Sequence, residues 1–258
     1  MTRPMDLDRN AEFAGKVVFV SGAGSGIGLA VAELLGSLAA TVICADINLA
    51  VAEAAAAAIR AKGGKAEAMA VDVGDAASLT SVVAAIEQRF GGLDLAVNNA
   101  GIAGPRVPMD EYPLDDWKQV IEVDLGGVFY ALRAEIPAMK RRSGGAIVNI
   151  ASIAGSIGIP LTAPYAAAKH GVVGLTRVAA LENATHNIRV NAVGPGYVET
   201  PFVMGRGEEI VRAYRAKHPV NRMAKTSEIA EMVVFLLSDR ASFVTGAYQL
   251  VDGGYTAQ

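Results

Sequence analysis

Apolar residues occur in short unbroken runs separated by longer stretches with helical spacing. After a polar lead of about a dozen residues, Lys16-Val17-Val18-Phe19-Val20 reads as a strand buried on both faces, since it offers no alternating solvent side. A glycine-rich stretch follows, then a helix over 29–38 and a second buried strand over 41–45 that ends at Asp46. The alternation continues with a helix over 51–61, a strand over 66–71, a helix over 76–90 with Asp75 as its N-cap, and a strand over 93–97. A long helix over 117–142, a strand over 146–150, a helix over 165–184 and a strand over 188–193 come next, before a helix over 228–237 and a last strand over 248–251. Strands that alternate with helices must run parallel, because each return crosses over a helix. The pattern therefore predicts an α/β fold: a Rossmann-type, doubly wound parallel sheet of about seven strands with helices on both faces. No interior stretch has the composition of a linker, so residues 1–258 are read as one dinucleotide-binding catalytic domain with 1–14 as an N-terminal extension.

Composition narrows the functions open to such a fold. With 52 % hydrophobic and 19 % charged residues the chain has ample material for a core. The net charge is −3 and no block of like charges occurs, which argues against nucleic acid or an anionic membrane as partner. Residues 1–10 carry Arg3, Asp6, Asp8 and Arg9 without an apolar core, and nowhere do eighteen apolar residues run together, so the cytoplasm is the expected compartment. The single cysteine, Cys44, lies in an apolar strand and is expected to be buried and inert. His170, His186 and His218 lack ligand spacing with Cys or acidic partners; surface or capping roles are expected for them, and no metal site.

In doubly wound sheets, ligands sit at the carboxyl ends of the strands, and the first strand-to-helix turn meets a pyrophosphate. Here that turn is Ser21-Gly22-Ala23-Gly24-Ser25-Gly26-Ile27-Gly28. The spacing is G-x-x-x-G-x-G, from Gly22, Gly26 and Gly28, in place of the more familiar G-x-G-x-x-G. Asp46 ends the second strand twenty residues after Gly26. A carboxylate there accepts both hydroxyls of an adenosine ribose and repels a 2′-phosphate, while Ile47 supplies no cation to neutralise one, so NAD is the expected cofactor. The other reading of Asp46 is a solvated turn residue.

Three further clusters lie in order along the chain: Asn98-Asn99-Ala100-Gly101, then Ser152, then Tyr165-Ala166-Ala167-Ala168-Lys169. With the glycine turn they resemble the short-chain dehydrogenase/reductase family of the classical type, over nearly the whole chain from Lys16 to Val251-Asp252-Gly253-Gly254-Tyr255. Ser152 stands thirteen residues before Tyr165, which is the family's spacing. The residue types also make chemical sense by themselves. Lys169 shares a helix face with Tyr165, and a nearby cation stabilises a phenolate, which turns tyrosine into a usable acid/base. A serine hydroxyl at the substrate oxygen stabilises charge developing there.

The resemblance implies further contacts: Asp72 and Val73 with adenine, Asn99, Ala100 and Gly101 along the cofactor, and the segment Pro195-Gly196-Tyr197-Val198-Glu199-Thr200 with the nicotinamide carboxamide, through the Val198 backbone and the Thr200 hydroxyl. Ser21 keeps the hydroxyl of the family's usual threonine. One departure bears on catalysis. Where the family reads V-N-L, with an asparagine implied to bend a helix and hold a relay water, this chain reads Val123-Asp124-Leu125. Asp124 keeps an acceptor and loses the amide donor, and its charge is expected to offset the field of Lys169 at Tyr165.

The resemblance thus implies an NAD-dependent oxidoreductase that interconverts a secondary alcohol and a ketone. A 3-oxoacyl reductase is the runner-up, disfavoured by Asp46 because that chemistry usually draws on NADPH, and a non-catalytic NAD-binding sensor or scaffold is a third reading. The segment 201–223, with Phe202, Val203, Met204, Arg206, Glu208 and Glu209, is expected to form a substrate lid, and Ile153, Ala154, Ile159 and Pro160 to give an apolar pocket for a cyclic or medium-sized secondary alcohol. Apolar stretches over 128–136 and 229–237 are either core or, as the family suggests, the faces of a homotetramer.

Overall fold

The structure is a computed structural model that describes residues 9–258; the charged residues Arg3, Asp6 and Asp8 lie outside the described residues, as does the side chain of Phe202. The chain runs α1 (Arg9–Phe13), β1 (Val17–Ser21), α2 (Gly26–Ser37), β2 (Thr41–Asp46), α3 (Leu49–Ala61), β3 (Lys65–Ala70), α4 (Ala76–Phe90) and β4 (Leu95–Asn98). It continues with α5 (Leu114–Ile121), α6 (Gly127–Arg141), β5 (Gly145–Ile150), α7 (Ala163–Asn183), β6 (Ile188–Pro195), α8 (Pro201–Met204), α9 (Glu208–Ala216), α10 (Thr226–Leu237) and β7 (Tyr248–Val251). The seven strands form one sheet in the order β3-β2-β1-β4-β5-β6-β7. Every pairing is parallel, with Val18 facing Val42 on one side and Leu95 on the other.

Because strand side chains alternate, the apolar runs supply two cores. Val18, Val20, Val42, Val97 and Val148 pack with Leu35, Ile59 and Val233 on one face. Phe19, Ile43, Ala96, Ile147 and Val190 pack with Leu79, Leu132 and Val172 on the other. Helix starts follow local chemistry. Asn48 and Asp75 accept from the N–H groups of Ala50 and Ala77, at 3.0 and 2.8 Å, so the expected Asp75 cap is present. Gly91, at φ +80°, ends α4 in the left-handed region.

Two local readings change. The helix expected over 117–142 is two helices, α5 and α6, joined by a π-helical turn over Glu122–Gly126 that contains Asp124. The polar lead ends in α1, whose Phe13 is 1 % exposed and packs into the first core. Cys44 is buried as expected, and burial pushes its thiol up to about 12. Among the described residues no helix is long and apolar enough to cross a membrane.

Candidate active site

The strand order reverses direction between β1 and β4, and a cleft of about 910 Å³ opens there at the carboxyl ends of the strands. One end is lined by Gly22, Ser25, Gly26, Ile27, Asp46 and Ile47, from the turns after β1 and β2. Asp72, Val73, Asn99, Ala100 and Gly101 line the middle wall, and Pro195, Gly196, Val198 and Thr200 arrive from the end of β6. Ser152 after β5, Tyr165 and Lys169 on α7, and Asp124 from the turn between α5 and α6 also meet in this cleft.

The glycines answer to close contacts. Gly22 and Gly26 adopt φ +64° and +58°. A Cβ on Gly28 would come within 2.2 Å of the Gly22 carbonyl oxygen, so this glycine lets α2 start against the turn. A Cβ on Gly26 would instead point across the cleft to 3.3 Å from Thr200 Cγ2. That open backbone cradle at a helix N-terminus fits the diphosphate of a dinucleotide. The Asp46 carboxylate is held by two backbone amides, Gly24 N–H to Oδ2 at 3.2 Å and Asn48 N–H to Oδ1 at 3.1 Å. Ile47 beside it is 73 % exposed and brings no charge.

Two expected cofactor residues do not line the cleft. Ser21 is 2 % exposed, and its hydroxyl accepts from the N–H groups of Asn99 and Ala100 at 3.0 and 3.2 Å. Gly28 faces the turn itself. Both shape the site from behind: the Ser21 hydroxyl is engaged by neighbouring backbone amides, and Gly28 packs its Cα against the Gly22 carbonyl. Asn99 also braces the turn, donating from Nδ2 to the carbonyls of Ser21 and Gly22 at 2.9 and 3.2 Å.

At the reacting end, Ser152 caps a short 3-10 turn by accepting from Ala154 N–H at 3.2 Å, which leaves its own proton free to donate into the cleft. Lys169 sits one turn beyond Tyr165 on α7, its ammonium 5.4 Å from the phenol ring centroid. The ammonium donates to Ile150 C=O at 3.2 Å and lies 3.3 Å from Asp124 Oδ2. Asp124 is fully buried and accepts from Ile102 N–H through Oδ1 at 2.7 Å, while Oδ2 receives no aligned hydrogen bond. Burial raises the Asp124 carboxyl above its ordinary range, against the pull of Lys169 and the Ile102 amide. For Lys169, burial works against the ammonium, but the charge and hydrogen bond of Asp124 together with the influence of Tyr165 outweigh it and hold the proton on more firmly than usual.

Several cleft residues carried no sequence motif. Arg106, in the loop after β4, donates to Pro160 C=O at 3.3 Å and lines the cleft with Thr162, Tyr197 and Tyr214. Its position just beyond a strand end at the switch point was the signal that could have found it. Tyr248 holds the reacting end from below, its hydroxyl donating to the Ser152 carbonyl. Of the expected pocket residues Ile153 and Ile159 line the cleft; Ala154 is wholly buried and Pro160 contributes its carbonyl to Arg106. His218 is no surface residue, at 4 % exposed: Nδ1 donates to Tyr214 C=O at 2.9 Å beyond the end of α9, and Nε2 accepts from Tyr197 N–H at 3.2 Å. His170, by contrast, bonds Ala166 C=O at 2.9 Å from the surface.

A doubly wound sheet with a glycine cradle, a carboxylate ending β2 and a Ser-Tyr-Lys cluster in one cleft has the layout of a dinucleotide-dependent oxidoreductase. Comparison with known proteins narrows that class. A family model described as enoyl-(acyl carrier protein) reductase matches residues 22–256. Cyclohexanol dehydrogenase from Acinetobacter sp. (strain SE19) is 46 % identical over 255 residues, spanning 98 % of this chain and 100 % of that protein. Cis-4-hydroxycyclohexanecarboxylate dehydrogenase from Sinomonas cyclohexanicum is 44 % identical over 245 residues, 95 % of this chain and 98 % of the other. The crystal structure of levodione reductase superposes with a TM-score of 0.91 at 36 % identity, covering 95 % of this chain and 99 % of that one. The chain belongs to the short-chain dehydrogenase/reductase family. It is an oxidoreductase of secondary alcohol/ketone pairs that works with a nicotinamide cofactor.

Proposed function

We propose that the protein is an NAD-dependent dehydrogenase of cyclic secondary alcohols. The observation that carries the cofactor choice is Asp46, fixed by two amides at the end of β2 with uncharged, exposed Ile47 beside it. The relatives named for cyclohexanol and for hydroxycyclohexanecarboxylate, together with the apolar wall of Ile153 and Ile159, support a ring alcohol as substrate. The bound nicotinamide supplies the hydride acceptor. Ser152 donates to the substrate oxygen, Tyr165 takes the alcohol proton on its phenolate oxygen, and Lys169 holds the phenolate by its charge. The ion pair with Asp124 keeps Lys169 charged while drawing off part of its field. Residues 201–223 close over the substrate as a lid.

The test compares kcat/KM for cyclohexanol with NAD and NADP. NAD is expected to be preferred by at least tenfold, and Asp46→Ala to narrow the gap by raising activity with NADP. Equal values, or a variant that gains no NADP activity, would remove Asp46 from its role. Tight NAD binding without turnover of any ring alcohol or ketone would favour a non-catalytic binder, and NADPH-dependent reduction of a 3-oxoacyl thioester would favour the acyl reductase.

Asp124→Asn separates charge from shape at the relay. Asparagine keeps the Ile102 amide contact and removes the negative charge 3.3 Å from the Lys169 ammonium. More of the lysine field then reaches Tyr165, so the acidic limb of the kcat/KM profile for alcohol oxidation is expected to move to lower pH by a few tenths of a unit or more. Superimposable profiles for the two proteins would show that the charge does not act on the base.

We also infer a homotetramer. Ile229, Val233 and Val234 of α10 belong to the core, yet Phe129 on α6 and Val178 and Leu181 on α7 are 48, 53 and 82 % exposed. These side chains support an assembly face on the α6 and α7 side. Light scattering that reports a monomer at micromolar concentration would contradict it.

A further inference from the structure

Beyond Ser152 and Tyr165, the wall of the cleft changes character. Ile153, Ile159 and Val203 give it an apolar surface, and the same cleft is lined by Arg106 and Arg206, from the loop after β4 and from the segment between α8 and α9. The carboxylates that line the cleft are Asp46 and Asp72, at the opposite end, and Asp124, which is buried against Lys169. No carboxylate among the described residues lines the end that carries the two arginines. Arg106 commits one N–H to Pro160 C=O, which ties it to the loop that presents Ile159. A guanidinium has five donors, so most of its fork stays open to a further acceptor. Burial pushes the Tyr197 hydroxyl up to about 12, and the charges of Arg106 and Arg206 both pull it the other way. Tyr197 is itself rigid, stacked on Tyr214 with ring centroids 3.9 Å apart.

We propose that Arg106 and Arg206 form an anion subsite, and that the substrate is a ring alcohol bearing a carboxylate at the far side of the ring from its carbinol. This rests on the ring-alcohol dehydrogenase reading above and adds the charged group. The hydroxyl faces Ser152 and Tyr165, the ring lies on the isoleucines, and the carboxylate meets the guanidinium forks, whose planar geometry matches it. The positive charge that Arg106 brings to the cleft also raises the local concentration of an anionic substrate.

The experiment has a kinetic arm and a binding arm. In the first, kcat/KM with NAD is measured for cis- and trans-4-hydroxycyclohexanecarboxylate and for 4-methylcyclohexanol, a neutral alcohol of similar shape. At least one acid is expected to exceed the neutral alcohol by tenfold or more. Arg106→Gln and Arg206→Gln should each cut the acid-to-neutral ratio by roughly 10- to 100-fold, chiefly through KM for the acid, with Arg106→Lys between wild type and Arg106→Gln. In the second arm, cyclohexanecarboxylate, which has no carbinol to oxidise, is titrated calorimetrically into NAD-loaded protein. It should bind the wild type and bind Arg106→Gln at least tenfold more weakly, and added salt should weaken the wild-type binding. Turnover of 4-methylcyclohexanol without preference for either acid, or a ratio that the arginine variants leave alone, overturns the anion subsite and leaves the dehydrogenase reading standing. Failure of every alcohol to turn over while cyclohexanecarboxylate binds in an Arg106-dependent way does the reverse. Absence of that binding overturns the subsite whatever the kinetics show.

Discussion

Replacing Tyr165 with phenylalanine is expected to lower kcat for alcohol oxidation by about 10²- to 10⁴-fold, the range that a positioned acid/base contributes. The substitution removes one oxygen and keeps the ring, which lies 5.4 Å from the Lys169 ammonium. Ser152 does not replace it, because a serine hydroxyl at this site can donate to the substrate oxygen but has no partner base to make it an acceptor of the alcohol proton; its hydroxyl oxygen already accepts from Ala154 N–H. The loss should therefore fall on kcat, while a fluorescence titration still detects NAD binding to the variant. Measured rates within tenfold of wild type would mean that another group takes the proton.

The second large effect concerns stability and lies outside the cleft. Glu135 on α6 is fully buried, with Oε2 accepting from Asn98 Nδ2 at 3.1 Å. Asn98 pairs in register with Asn149 of the next strand and donates to its Oδ1 at 3.0 Å, and Asn149 Nδ2 donates to Thr176 Oγ1 at 2.9 Å. Two buried acceptors in this network, Glu135 Oε1 and Asn98 Oδ1, have no partner. Burial raises the Glu135 carboxyl to about 7, against the opposing hydrogen bond from Asn98. An unfolded chain ionises this group near its ordinary value of 4.5. Unfolding therefore releases a proton between those two values, and stability is lost as pH rises through that window, by about 3 kcal/mol in all, with no further change above it. Glu135→Gln stays neutral at every pH and brings donors to a network short of them. Urea unfolding should find the variant more stable by about 2–4 kcal/mol at pH 8, with the gap closing towards pH 5. A difference that does not depend on pH would show that Glu135 carries its charge in the fold at no cost.

Much of the site was legible because its signals are local or follow from topology. The glycine turn, the carboxylate ending β2 and the tyrosine and lysine one helical turn apart each declare themselves within a few residues. Predicting a parallel sheet then gathered them, since in such a sheet all strand ends of one kind open on one side. Ser21 and Gly28 belong to the same motif yet turn away from the cleft, because a motif names positions and says nothing of which way a hydroxyl or a missing Cβ points. The π-helical turn at Glu122–Gly126 did not show in the apolar pattern over 117–142; only the resemblance implied a bend at Asp124.

By itself, then, the order of residues determined the seven strands, their parallel arrangement, the glycine turn at the strand ends and the side chains that meet in the cleft, all of which depend on short-range periodicity and spacing. Only the tertiary structure decided which distant groups share an electrostatic environment. It set Asp124 against Lys169, Arg106 beside Pro160, and Glu135 under Asn98. Charges and hydrogen bonds act through space over a few ångströms, whereas these partners are tens of residues apart along the chain, and no local pattern records such a meeting.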